Sequence, residues 1–253
     1  MLQALADGRL FADRTGTGPV QVVGLHGWAR DRSDLVAALD GFDTLNVDLP
    51  GFGASPPPAA AMGAAGSATL LAEALDGADA GVVSGPVVVL GHSFGGRVAV
   101  ALAAARPDLV CALVLTGVPL LRPGGPTRKP HWSVRLAKAL HRRGLLSDAR
   151  LEAVRQKHGS EDYRRATGVM RDVLVTVVNE SYESELRSIA CPTTLVWGED
   201  DTAARIDVAR RANGMLAHAE LVVLPGVGHD VPRRRPDVLR DALARSLESA
   251  PRP

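Results

Sequence analysis

An unbroken apolar run, Pro86-Val87-Val88-Val89-Leu90, leads directly into Gly91-His92-Ser93-Phe94-Gly95, and that into Gly96-Arg97-Val98-Ala99-Val100-Ala101-Leu102-Ala103. The first stretch reads as a buried strand and the last as a helix, with a sharp turn between them. A serine at the tip of such a turn is lifted clear of the backbone, beside the donors at the start of a helix. The flanking glycines serve a strained serine backbone and a helix that passes very close to the strand. G-x-S-x-G is a weak signal on its own, and its placement between strand and helix is what makes it informative.

The same alternation recurs along the chain. Strand-like runs fall near Val20 to Leu25, Thr44 to Val47, Val87 to Leu90, Leu109 to Leu115, Thr193 to Trp197 and Leu221 to Leu224. Helix candidates lie at Asp31 to Leu39, Ala68 to Leu75, Gly95 to Ala105, Arg205 to Leu216 and Pro236 to Leu247. This order predicts an α/β fold, with a mostly parallel central sheet flanked by helices. The pattern breaks after Pro119, and Leu121 to Arg187 predicts three helical segments with no strand between them. Ser147 caps a helix over Asp148 to His158 that Gly159 ends, and Ser160 caps the next. Met170, Val173, Leu174, Val177 and Val178 form an apolar stripe at helical spacing, expected to serve mainly packing. The chain thus divides into a core, 1–120 and 188–253, and a helical lid, 121–187. An insertion at the carboxyl ends of the strands lies over the place where open α/β sheets bind ligands.

Composition narrows the function classes. The 253 residues carry a net charge of +1, with 46% hydrophobic and 23% charged residues, so no overall field recruits nucleic acid or a membrane. Within 121–187 there are 14 Lys and Arg against 8 Asp and Glu, read mainly as a solvated face. No apolar stretch has the length of a membrane helix, and the first eight residues lack the basic and apolar regions of a secretory signal. A cytoplasmic protein is expected. Cys111 and Cys191 read as reduced, buried thiols. His131, His141, His158 and His218 have no metal-ligand spacing, and Gly51-Phe52-Gly53 lacks the context of a phosphate loop, so neither metal nor cofactor is expected.

A serine nucleophile needs a base, and the base needs an acid to orient it. Leu195-Val196-Trp197-Gly198-Glu199-Asp200-Asp201 ends a strand in acids, and Leu224-Pro225-Gly226-Val227-Gly228-His229 ends another in a histidine. The order Ser, Asp, His is the one that accompanies this type of elbow. An oxyanion needs two N–H donors. Phe94, at the start of the helix after Ser93, supplies one candidate, and Trp28 in Leu25-His26-Gly27-Trp28 the other. His26 is expected to shape its loop through backbone hydrogen bonds, and His92 to pack under the elbow.

These tracts, together with Asp48-Leu49-Pro50-Gly51-Phe52-Gly53, span nearly the whole chain and resemble the α/β-hydrolase superfamily. Within it, His26-Gly27-Trp28 and the tract at Asp48 to Gly53 look like the small-lid carboxylesterases, including the pimeloyl-carrier methyl esterase group. The lid does not match that group, so its substrate is not carried over. The resemblance implies the catalytic set Ser93, Asp201 and His229, with Asp201 preferred over Asp200 by its spacing from Gly198. It also implies hydrolysis of a small-molecule carboxylic ester. Dehalogenases and epoxide hydrolases of this fold place an aspartate where Ser93 stands. Carbon–carbon bond hydrolases share the triad but have a more glycine-rich oxyanion loop than His26-Gly27-Trp28-Ala29-Arg30. The alternatives that keep the triad are thioester, lactone or carbon–carbon bond hydrolysis, or a lyase or cyclase step. A non-catalytic ligand-binding homologue stands last.

Overall fold

Eight strands form one sheet in the order β1-β2-β4-β3-β5-β6-β7-β8. The structure, a computed structural model, describes residues 1–76, 83–122, 132–158 and 160–249. β1 (Leu2–Leu5) and β2 (Leu10–Thr15) make an antiparallel hairpin at one edge, and β2 is antiparallel to β4 (Thr44–Asp48). All other neighbours are parallel: β3 (Val22–Leu25), β5 (Val87–His92), β6 (Val110–Thr116), β7 (Thr193–Gly198) and β8 (Ala219–Leu224).

The alternation of side chains along each strand divides the core in two. On one face Val23, Val89, Leu113, Leu195 and Trp197 pack against α2 (Ala64–Asp76), α3 (Phe94–Ala105), α8 (Glu183–Ser188) and α9 (Ile206–Asn213). On the other, Val22, Val88, Leu90, Val114 and Val196 pack against α1 (Val36–Leu39), α10 (Val231–Arg234) and α11 (Pro236–Ser249). With both faces covered, a strand such as β5 is apolar throughout, which is why its run reads so plainly in the sequence.

Chain order places the functional loops. From β3 the chain moves to β4 on one side and then crosses back to β5 on the other. The loops leaving β3 and β5 therefore diverge at the switch point of the sheet, where a crevice opens.

Between β6 and β7 lie α4 (Trp132–Arg142), α5 (Asp148–His158), α6 (Glu161–Arg165), α7 (Gly168–Val177) and α8. The insertion thus has five helices among the described residues where the sequence predicted three. The elements not read from the sequence are α4 and α8, of which α8 spans six residues, too few to show a helical period. Ser160 accepts the Tyr163 N–H as a cap, whereas Gly159 and His131 lie outside the described residues. Three further expectations need correcting. The segment 31–39 is not one helix but a 3-10 turn, Arg32–Leu35, followed by α1, and Asp31 caps the turn by accepting the Ser33 N–H. The helix expected from Ala68 starts at Ala64. Cys111 and Cys191 are free, but only partly buried.

Candidate active site

Ser93 follows β5 directly and sits at φ 50°, ψ −110°, a conformation that costs a non-glycine residue about 1–3 kcal/mol. Its N–H donates to the Thr116 carbonyl at 3.0 Å, which ties the elbow to the end of β6. Gly95 permits the turn: a Cβ there would press on the Leu25 carbonyl and lie 2.6 Å from the His26 oxygen. The Gly95 N–H uses this approach to donate to that His26 oxygen at 3.0 Å.

Asp201, on the loop after β7, is buried, and one carboxylate oxygen accepts the N–H groups of Ala203 and Ala204, each at 2.8 Å. Its other oxygen lies 2.8 Å from His229 Nδ1. Asp200, by contrast, is exposed. His229, on the loop after β8, presents Nε2 to Ser93 Oγ at 3.1 Å. With Nδ1–H donating to the carboxylate, Nε2 carries the free lone pair and accepts the hydrogen bond of the Ser93 hydroxyl. The structure thus brings together the three side chains that the sequence placed 28 and 136 residues apart.

The Trp28 and Phe94 N–H groups donate to no acceptor among the described residues; Phe94, first in α3, has none within its own helix. Their rings stack edge-on at 5.5 Å, and Phe52 joins them at 4.9 Å from Trp28. This aromatic cluster packs the loop after β3, the turn after β4 and the elbow into one body. His26 behaves as the sequence suggested. Its Nε2 accepts the Leu49 N–H at 3.0 Å and its Nδ1 faces the Gly27 carbonyl at 2.7 Å, while burial lowers its pKa and keeps it neutral. Asp48 fixes the adjoining turn by accepting the N–H groups of Arg32 and Ala54, each at 2.7 Å, and the Arg32 guanidinium at 2.6 Å.

A cavity of about 340 Å³ opens over Ser93 and His229, lined also by Trp28, Phe94, Arg97 and Leu174. Val177 and Val178 complete its roof. Of the predicted stripe on α7, Val173, Leu174 and Val177 are buried, whereas Val178, 59% exposed, faces this opening. The buried Arg97 guanidinium donates to the carbonyl of Val177, the last residue of α7, and lies over the Tyr182 ring. Burial lowers its pKa, although Tyr182 and Glu180 work against this. Arg97 thereby joins the elbow helix to the inserted helices, a contact that local sequence pattern does not announce.

Among the described residues, no group of three His, Cys, Asp or Glu side chains could hold a metal ion. No helix among them is long and apolar enough to cross a membrane.

A serine on a strand–helix elbow thus meets a histidine and a buried acid from later loops, on a mostly parallel sheet flanked by helices. The sequence profile of the Alpha/beta hydrolase family matches residues 22–242, and the chain belongs to that family. It is 31% identical over 248 residues to the 2-hydroxy-6-oxononadienedioate/2-hydroxy-6-oxononatrienedioate hydrolase of Cupriavidus pinatubonensis, covering 87% of this chain and 84% of that protein. Over 114 residues, 42% of this chain and 40% of the relative, it is 43% identical to lipase LipV of Mycobacterium tuberculosis. Among solved structures, a thermophilic esterase from Thermogutta terrifontis superposes with a TM-score of 0.70 at 22% identity, covering 98% of each chain. The meta-cleavage product hydrolase of Pseudomonas fluorescens IP01 gives 0.67 at 16% identity, covering 98% of this chain and 97% of its own. These likenesses establish the fold.

Proposed function

We propose that this hydrolase cleaves a carboxylic ester of a small molecule through an acyl-enzyme on Ser93. The observation that carries this reading is the hydrogen-bonded series from Asp201 through His229 to Ser93, at 2.8 and 3.1 Å. Ser93 Oγ attacks the ester carbonyl carbon as His229 Nε2 takes its proton, and Asp201 stabilises the imidazolium that forms. The carbonyl oxygen becomes an oxyanion held by the Trp28 and Phe94 N–H groups, each such donor being worth about 3 kcal/mol of barrier. His229 then returns the proton to the departing alcohol, and water repeats the sequence to free the acid and Ser93. The inserted helices 121–187 act as the lid, with Leu174, Val177 and Val178 of α7 meeting the substrate. Short-chain nitrophenyl esters test the proposal: turnover by the native enzyme and its loss in Ser93→Ala support it, and equal rates refute it.

A second reading, hydrolysis of a carbon–carbon bond by the same triad, draws support from the relative named for a 2-hydroxy-6-oxo dienedioate. It differs in the leaving group, a carbon acid in place of an alcohol. Turnover of that compound class with no turnover of simple esters favours it.

A further inference from the structure

Asp34, a buried side chain that no reaction step uses, touches the loops that deliver the catalytic groups. It lies in the 3-10 turn that follows the oxyanion loop, with its carboxylate 1% exposed. It accepts the Gly27 N–H at 3.3 Å and the Arg30 guanidinium at 2.7 Å. It also faces His92 Nδ1 at 2.8 Å. His92 stands immediately before Ser93, is equally buried, and turns its other nitrogen, Nε2, toward the His229 carbonyl at 3.3 Å. Arg30 extends the connection by donating to Asp230, the neighbour of His229, at 2.8 Å.

Both ring nitrogens of His92 therefore face acceptors, a carboxylate on one side and a carbonyl on the other. A neutral imidazole has a single N–H, so one of these contacts would set lone pair against lone pair. An imidazolium would satisfy both, with Asp34 as its counterion. We infer that Asp34 is a positioning residue: with a cationic His92 it forms a second carboxylate–imidazole pair, which holds the His229 backbone and so aims the catalytic imidazole at Ser93. The inference rests on the serine-hydrolase reading above.

The charges around the pair are balanced. Asp34 faces His92 and Arg30, with Arg233 at 3.9 Å; Arg30 also faces Asp230; His229 faces Asp201; and the nearby His26 is neutral. The His92 and His229 rings lie 5.2 Å apart. Asp34 contacts His92 through the opposite ring nitrogen, so of the two charges His92 is the nearer to His229.

The test is Asp34→Asn. Asparagine removes the charge that Arg30 and His92 share and cannot accept from Gly27, Arg30 and His92 together, so the tether between the loop after β3 and the His229 loop slackens. We expect kcat to fall about tenfold or more, with KM changed less than about threefold, because the base is misaimed while the substrate cavity is intact. An unchanged kcat, or a KM that rises as far as kcat falls, overturns the inference. Nitrogen-15 NMR of the ring nitrogens in the native protein at neutral pH supplies a measurement that needs no variant. Two protonated nitrogens on His92 support the pair; one protonated nitrogen refutes it. Failure of the underlying reading is separately visible, as native enzyme whose Ser93 does not react with a fluorophosphonate.

Discussion

Replacing Gly95 by alanine sets a methyl group against backbone rather than against a side chain that can swing aside. The new Cβ would press on the Leu25 carbonyl and lie 2.6 Å from the His26 oxygen, against an ordinary contact of about 3.5–4.0 Å. Relief requires α3 to withdraw from the end of β3 by about an ångström, which stretches the 3.0 Å hydrogen bond from the Gly95 N–H to His26. Overpacking of a well-packed interior costs about 1–3 kcal/mol, and an obstacle made of backbone puts this substitution at the upper end, about 3 kcal/mol. The same displacement separates the Phe94 N–H from the Trp28 N–H, and a misplacement of about an ångström at reacting groups costs about 100-fold in rate. Urea denaturation and kcat/KM on a nitrophenyl ester measure the two effects. An unchanged unfolding midpoint together with an unchanged rate would refute the argument that this glycine sets the spacing between the elbow and the loop after β3.

Further outcomes follow from the geometry of the relay. Asp201→Asn should leave the fold intact and lower kcat by about 10⁴-fold, because the amide favours the wrong tautomer of His229; circular dichroism with steady-state kinetics checks both halves. Gly117→Ala should lower kcat with little change in KM. Gly117 has φ +60°, and its added methyl would lie 3.1 Å from His229 Nδ1 and Cε1. Burial works to raise the Asp34 carboxyl, but His92, Arg30 and the Gly27 N–H outweigh it and hold the pKa at about 2, against an ordinary 3.8. A carboxyl lowered on folding stabilises the protein above its unfolded pKa, and that stability is lost as pH falls through the folded value. Asp34 therefore contributes about 2 kcal/mol above pH ~4 that fades toward pH ~2, and unfolding followed against pH in native protein and Asp34→Asn should show the difference narrowing across that window.

The features legible in the sequence are those with a local signature. β5 and α3 stand out because both are largely apolar and Gly91 and Gly95 flank the turn at Ser93, and the remaining parallel strands follow from the same burial on both faces. The N-terminal hairpin escaped because β1 is the edge strand and β2 its neighbour, and Gln3, Asp13 and Arg14 interrupt any apolar run there. Helix α6, built from Glu-Asp-Tyr-Arg-Arg, has no buried residue and so offers no periodicity beyond its Ser160 cap. The family resemblance pointed to Asp201, and burial with two backbone donors gives the physical reason that it, and not Asp200, faces His229. Asp34 left no trace in the sequence, since its partner His92 is 58 residues away and the segment around it looked like an ordinary helix start. Arg97 was hidden in the same way, being one more residue of an apolar helix until the fold sets Val177 and Tyr182 over it.

Covalent trapping tests the central claim most directly. Native protein treated with a fluorophosphonate and mapped by peptide mass spectrometry should carry one adduct, on Ser93, formed far more slowly in His229→Ala and absent in Ser93→Ala. An adduct on another residue, or equal labelling rates in native protein and His229→Ala, would contradict the assembly of Ser93, His229 and Asp201 into a working nucleophile.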